Sequence, residues 1–250
     1  MIAERLISPT ITVAHGFFTR RGGVSEGPFA SLNCSLSGAD DRDAVMENRA
    51  RVARAIGARP ERLMGATQVH GAAVAVVTEP WAHGEGPRAD ALVSARPGLA
   101  LGIVTADCAP VLFHDRARGV IGAAHAGWRG AAGGVLEATL VAMRELGAVD
   151  IVASVGPCIG AASYEVAADM RDAVLAQDPA GVRWFETGAR AGHWRFDLAG
   201  FCVARLRAAG AEADQVAADT LADADRFFSH RRRTLAGGGP IGHQISAIVL

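Results

Sequence analysis

Between Arg62 and Ala124 the chain carries six short apolar runs: Arg62 to Val69, Ala72 to Val77, Ala91 to Val93, Leu99 to Val104, Pro110 to His114 and Val120 to Ala124. Runs of this length predict strands. They follow one another with no room for helices between them, so a largely antiparallel or mixed sheet is expected rather than a doubly wound parallel one. Ile11 to Phe18 predicts a further strand, which leads into the Gly-rich loop from Thr19 to Pro28. Asp40 or Asp41 is placed to cap a helix from Arg42 to Ile56, with Val45, Val52 and Ile56 facing inward and Gly57 as a stop. A second helix is expected from Trp128 to Leu146, with Val135, Leu136, Thr139, Leu140 and Met143 on one face. Beyond it, Ile151 to Val155 predicts a strand, Val166 to Leu175 a helix, Asp197 the cap of a helix ending at Ala209, and Gln244 to Leu250 a last strand. No internal repeat or disordered linker interrupts the chain, and Pro80 to Arg88 reads as an exposed loop. The expectation is one α/β (α+β) domain over residues 1–250, with mixed sheets flanked by helices.

Half of the 250 residues are hydrophobic, enough for a proper core. The formal net charge of −1 argues against a nucleic-acid or membrane-surface role, since either needs a strong basic bias. All 25 basic residues are Arg. Without a lysine the chain cannot form a Schiff base, anchor pyridoxal phosphate or build a Walker-type phosphate loop. Any anion must be held by Arg, backbone amides or metal. Cys34, Cys108, Cys158 and Cys202 are widely spread, and the amino terminus has neither the basic start nor the apolar core of a signal peptide. A cytoplasmic protein is expected. No run approaches the roughly eighteen apolar residues of a membrane span, and no protein partner is evident.

Three residues on separate stretches stand out. His70, Cys108 and His125 each follow an apolar run and sit among small residues, in Gln68-Val-His-Gly71, Thr105-Ala-Asp-Cys108 and His125-Ala-Gly-Trp-Arg-Gly130. Two imidazoles and a thiolate are the protein half of a catalytic zinc site, because they leave one corner of the tetrahedron for water or substrate. A single His or Cys at the end of an apolar run is more often a packed core residue. Spacing does not decide between these readings, since Cys-x-x-Cys and His-Glu-x-x-His motifs are absent.

Considered together, Gln68-Val-His-Gly71, Thr105-Ala-Asp-Cys-Ala-Pro110 and Ala124-His-Ala-Gly-Trp-Arg-Gly130 resemble the laccase-domain, polyphenol oxidase-like (YfiH-like) family, now regarded as purine nucleoside phosphorylases. The resemblance extends in order through Phe18 to Ser25, Ser31-Leu-Asn33, Gly156-Pro-Cys-Ile-Gly160, Tyr164-Glu-Val166 and Phe227-Phe-Ser229. It implies a layered sandwich, and a zinc ion held by His70, Cys108 and His125. It further implies cleavage of adenosine or inosine by phosphate to base and ribose 1-phosphate, with deamination of adenosine beside it. On that reading the partners are purine nucleosides and phosphate. Arg129 and Arg20 are candidates for the phosphate, joined by the amino end of the helix beginning near Trp128. Asp107, next to Cys108, is placed to orient a ligand, to accept a proton or to cap its turn. Asn33 suits either substrate hydroxyls or a local Asx turn. Trp128 and Phe18 suit either a purine face or the core. Arg231 to Arg233 reads as a solvated face or a phosphate patch.

The chain departs from the family pattern near its carboxyl end. His230 stands where Tyr is common, His243 where Arg is common, and Asp219 and Ala222 near a frequent pair of Cys. The oxidase part of the family name implies copper, yet multicopper oxidases need His-x-His pairs, and none of the eight His here forms one. Copper in a zinc-type site remains the lesser reading. Two alternatives compete with the phosphorylase. One is a metal-free Cys108–His125 hydrolase, as in editing of peptidoglycan precursors. The other is a non-enzymatic module whose structural zinc takes a fourth ligand from His15, His83 or His114.

Overall fold

A computed structural model describes residues 2–250 and shows how the closely spaced apolar runs pair. In chain order the strands are β1 (Arg5–Leu6), β2 (His15–Phe18), β3 (Leu63–Met64), β4 (Val74–Val76), β5 (Ala91–Ser94), β6 (Ala100–Thr105) and β7 (Ala109–Asp115). They continue with β8 (Val120–Ala126), β9 (Ile151–Val155), β10 (Glu165–Ala167), β11 (Phe185–Thr187), β12 (His193–Phe196), β13 (Glu212–Gln215) and β14 (Gln244–Val249). The helices are α1 (Arg42–Ala55), α2 (Trp128–Ala132), α3 (Val135–Glu145), α4 (Ala168–Gln177), α5 (Leu198–Ala208) and α6 (His230–Leu235). One sheet runs in the order β1-β2-β14-β6-β3, a second β13-β9-β7-β8-β5-β4, and a small third β10-β12-β11. The two large sheets are mixed, as expected: β7 pairs antiparallel with β8 and β9, whereas β4–β5, β13–β9 and β3–β6 are parallel.

Every residue of β7 and β8 is buried, so their side chains must alternate between two cores. Val111, Phe113, Val120 and Ala124 face the helices, packing with Leu136 and Leu140 of α3 and Phe201 of α5. Leu112, Ile121 and Ala123 face the other way and meet Phe17, Leu101, Ile103 and Ile248 of the five-stranded sheet. The outer face of that sheet, with Ile245, Ala247 and Val249 of β14, packs on Val52 and Ala53 of α1. The layers are therefore α1, the five-stranded sheet, the six-stranded sheet, and α3 with α5. A one-residue slip of β7 or β8 would exchange the two faces, and with large side chains contributing about 1.5–3 kcal/mol each this pins the register.

Several expected boundaries are corrected. The helix from Trp128 to Leu146 is two helices, parted where Gly134 adopts φ +92°, a left-handed conformation that costs glycine little. The five-residue α2 that remains has no long dipole to offer an anion. The strand expected from Arg62 to Val69 is regular only at Leu63 and Met64, with an isolated bridge from Thr67 to Arg88, and the Gln68 side chain takes the place of a strand beside β6. Its Nε2 donates to the Val104 carbonyl (2.8 Å) and its Oε1 accepts from the Val104 amide (3.0 Å). The strand beginning at Ile11 is regular only from His15, and that beginning at Ala72 only from Val74. Val166 lies in β10, and the helix expected there starts at Ala168. The small third sheet and α6 had no counterpart in the sequence reading.

The caps hold as read: Asp41 accepts from the Ala44 amide at 2.8 Å and Asp197 from the Gly200 amide at 2.9 Å. The loop from Pro80 to Arg88 folds back on the sheet, with Trp81 Nε1 donating to the Gly65 carbonyl (2.9 Å). Among the described residues no helix is long and apolar enough to cross a membrane.

Candidate metal centre and its cleft

Strand register brings the site together. Ala91 pairs with Ala124, and Ala109 with Ala126, which sets Asp90 beside His125 and Cys108 beside Gly127 at the ends of β5, β8 and β7. Residues paired across strands share a face, and so do residues two apart. Asp90, Cys108 and His125 therefore look the same way as Leu112, Ile121 and Ala123, toward the five-stranded sheet. His70 arrives from that opposite side, on the turn that Gln68 pins to β6.

One ligand atom from each of His70, Cys108 and His125 lies within 4.8 Å of the others. Cys108 Sγ is 3.9 Å from His70 Nε2, and the two imidazole rings meet edge to face with centroids 4.7 Å apart. Tetrahedral zinc bonds of 2.0–2.3 Å need donor separations of about 3.3–3.8 Å, so the trio fits a cation after a small inward adjustment. Gly127 leaves that space open: a Cβ there would lie 2.9 Å from Cys108 Sγ and 3.2 Å from His70 Cδ2. Among the described residues neither His15, His83 nor His114 joins the trio.

Asp90, which the sequence reading missed, organises the centre. Its carboxylate is wholly buried and accepts from the amides of Val69 (3.1 Å), His70 (2.9 Å) and Gly71 (2.7 Å) and from His125 Nδ1 (2.8 Å). The amides hold the turn on which His70 takes φ +61°. The bond to Nδ1 leaves His125 Nε2 as the ring atom available to a metal or to Cys108. Burial pushes Asp90 up, but His125 and the turn amides outweigh it and hold the carboxyl below its ordinary value. Burial likewise pushes the Cys108 thiol up, and the hydrogen bonds and charges of His125 and His70 reverse this, drawing it below the usual thiol range. His125 moves the opposite way: burial lowers it, while Asp90 and Cys108 raise it overall. The site thus favours an anionic sulfur, the form that binds metal or attacks as a nucleophile. In sequence Asp90 gives one signal, an acid leading directly into an apolar strand.

The trio opens on a cleft of about 600 Å³, whose walls include Trp128, Arg129, Tyr164, His230, Arg231 and His243. Arg129 is exposed, lies 4.3 Å over the Trp128 ring and has no hydrogen-bond or ion-pair partner among the described residues. Arg231 stands 5.6 Å over the Tyr164 ring. The His243 imidazole is neutral at neutral pH, since burial and then the nearby His230, His125 and Arg233 push it down to about 4.

Other expected site residues have different work. Asp107 lines the cleft with φ +91°, yet its carboxylate already accepts from Thr220 Oγ1 (2.7 Å), Ser229 Oγ (3.0 Å) and the Arg231 amide (2.6 Å). It ties the turn bearing Cys108 to the start of α6. Arg20 does not line the cleft: its Nε donates to the Ala30 carbonyl (2.7 Å) and its guanidinium lies 4.4 Å over Phe228. Asn33 is buried and outside the cleft lining, donating to Asp40 (2.8 Å) and accepting from the Ser35 amide (3.2 Å), in the pattern of an Asx turn, and from the His243 amide (2.9 Å). Phe18 is core. Within the Arg231 to Arg233 run, Arg232 is tied to the carbonyls of Thr220, Leu221 and Phe227 and is structural.

The family described as multi-copper polyphenol oxidoreductase laccase matches residues 14–250. The chain is 43% identical over 238 residues to a purine nucleoside phosphorylase of Streptomyces coelicolor, covering 94% of this chain and 96% of that one. It is 42% identical over 232 residues to a purine nucleoside phosphorylase of Deinococcus radiodurans, covering 91% and 87%. Its fold matches the crystal structure of a Neisseria meningitidis protein with a TM-score of 0.86 at 35% identity, over 100% of this chain and 99% of the other. The match to Bacillus licheniformis YfiH has a TM-score of 0.85 at 30% identity, over 94% and 92%. Matched over nearly its whole length in both sequence and fold, the chain belongs to the laccase-domain, YfiH-like family, whose named members include purine nucleoside phosphorylases.

Proposed function

We propose that the protein is a zinc-dependent purine nucleoside phosphorylase that cleaves adenosine or inosine with phosphate, with deamination of adenosine as a parallel activity. The observation that carries this reading is the convergence of His70, Cys108 and His125 on one wall of the 600 Å³ cleft, a volume within the range of small-molecule sites. The relatives named purine nucleoside phosphorylase support the substrate class. A thiolate with two imidazoles favours zinc; copper, named in the family description, is a weaker fit because among the described residues no further histidine joins the trio's ligand set.

Zinc bound there would supply a fixed positive charge for negative charge developing on a reacting group. The chain's own residues do the rest. Asp90 holds His125 in one tautomer. Arg129 and Arg231 offer forked donors to phosphate, and Trp128 and Tyr164 offer faces to the purine. In phosphorolysis a phosphate oxygen forms a bond to the anomeric carbon as the bond from that carbon to the base nitrogen breaks. The base leaves with the electron pair and takes up a proton. The four cysteines are free, which supports a cytoplasmic setting, and residues 1–250 are read as one domain.

A specific observation favours a second reading. Asp90, His125 and Cys108 stand in the order of a hydrolase triad, with the imidazole between carboxylate and thiol. His70 against the sulfur is unnecessary to a triad and natural in a metal site, so the phosphorylase is preferred.

The test is to incubate the protein with adenosine, inosine and phosphate, with and without chelator. Free base and ribose 1-phosphate, abolished by chelator and by Cys108→Ala together with the bound metal, are the expected result. Full turnover by metal-free Cys108→Ala protein would overturn the assignment, and thiol-dependent hydrolysis that survives chelation would select the triad. Arg129→Ala is expected to raise the KM for phosphate about ten-fold, roughly the 1.4 kcal/mol of one charge-assisted contact; an unchanged KM would remove Arg129 from the anion site.

A further inference from the structure

The cleft has a second lobe that the proposed chemistry does not use. Its walls include Cys34, Ser35, Ser37, Arg49, Trp81 and His83. Arg49 is 3% exposed, so its guanidinium has been removed from water. It donates from Nη1 to the Cys34 carbonyl (3.1 Å) and from Nη2 to the Leu63 carbonyl (3.3 Å). Its Nε is buried and has no partner, and among the described residues no carboxylate forms an ion pair with it. A buried charge without a counter-charge is among the costliest features a fold can carry, and two neutral carbonyls satisfy donors without balancing the charge.

The surroundings add donors rather than acids. Ser35 Oγ and Ser37 Oγ are 3.2 Å apart, and a single bond between them uses one hydroxyl proton and leaves the other free. Burial pulls His83 below its ordinary value and the Arg49 charge adds to this, so the imidazole stands close to the guanidinium as a neutral group. The Trp81 ring, held by its bond to the Gly65 carbonyl, forms the adjacent wall.

We propose that this lobe is an anion subsite, centred on Arg49, that takes a phosphate group. The group has two chemical sources: inorganic phosphate, or the 5′-phosphate of a purine nucleotide whose base and sugar lie in the rest of the cleft. The subsite goes beyond the phosphorylase reading and is read by binding alone, so its failure and the failure of that reading are distinguishable.

The experiment is calorimetric titration of the metal-loaded full chain, and of its Cys108→Ala form, with inorganic phosphate, adenosine and adenosine 5′-monophosphate at constant ionic strength. Two variants are compared. Arg49→Met removes the charge, and with it the ties to Cys34 and Leu63 that folding can require. Ser37→Asp, at an exposed position on the rim, adds a fixed carboxylate without touching those ties. The nucleotide is expected to bind at least ten-fold more tightly than adenosine, or inorganic phosphate to bind by itself. Either affinity should fall at least ten-fold in Ser37→Asp and in folded Arg49→Met protein, and the ligand affected identifies the source. Phosphate and nucleotide affinities unchanged by Ser37→Asp, or no binding of either to the unsubstituted chain, would overturn the subsite.

Discussion

Asp90 and Asp115 are both wholly buried carboxylates at strand ends of the same sheet, and they do opposite things. Asp115 closes β7 and accepts from the amides of Val149 (2.7 Å), Asp150 (2.6 Å) and Arg118, so every bond it makes holds backbone at the edge of the sandwich. Asp90 gathers three amides in the same manner, but its remaining partner is the ring of His125, which faces the cleft. Burial and amide bonding alone do not mark a functional acid. The mark is a titratable partner that itself reaches a cavity. The cysteines repeat the lesson. Cys34 is pushed up to about 12 by burial, and Cys158 and Cys202 are also pushed up, whereas Cys108, half-buried against two imidazoles, is drawn down.

Substituting the two acids in parallel would break or sharpen this contrast. Asp90→Ala should have the largest effect. It leaves three part-buried amides and a buried histidine without their acceptor, costing about 3 kcal/mol of stability, and should weaken metal binding by about 10–100-fold, both measurable by thermal unfolding and metal titration. Asp115→Ala should cost about as much stability, roughly 6–12 °C in melting temperature for a chain of this size, with metal affinity and turnover per folded molecule unchanged. Loss of metal in that variant would mean the two acids are not separable. Gly127→Ala reverses the pattern: its Cβ crowds Cys108 Sγ, so metal binding should weaken about ten-fold while stability changes by less than about 1 kcal/mol. Equal metal affinity there would show that the trio relaxes without cost.

The smallest effect concerns acid. Burial pushes Asp115 up, but the amides of Asp150, Val149 and Arg118 hold it below its ordinary value of 3.8. The stability it contributes is present above that value and is lost as pH falls through the lower folded value. Asp115→Asn should therefore flatten the acid limb of the unfolding profile below about pH 4, and an unaltered limb would assign acid unfolding to other carboxylates.

Much of the fold was legible because the information is local. Apolar runs too closely spaced for crossover helices led to mixed sheets, and Asp41 and Asp197 announced their helices as caps. Elements that depend on distant pairing were hidden. β10, β11 and β12 are three or four residues long and exist through one another, and the break at Gly134 registers only when α3 must lie on the sheet. In the site, His70, Cys108 and His125 were legible through motif resemblance, whereas Arg20 and Asn33 lie outside the cleft lining and bond within the fold, partly to segments 204 and 210 residues away.

By itself the sequence determined the chemical inventory: no lysine, one thiol and two imidazoles each among small residues, and a chain able to fill several apolar layers. Only the tertiary structure decided that these donors meet, that Asp90 rather than Asp107 braces the histidines, and that Arg49 reaches the cleft wall without an ion-pair partner among the described residues. The reason is physical. A residue's identity sets what it can bind, but its burial and its partners come from strand register between segments remote along the chain, and those contacts decide which of its capacities remains free.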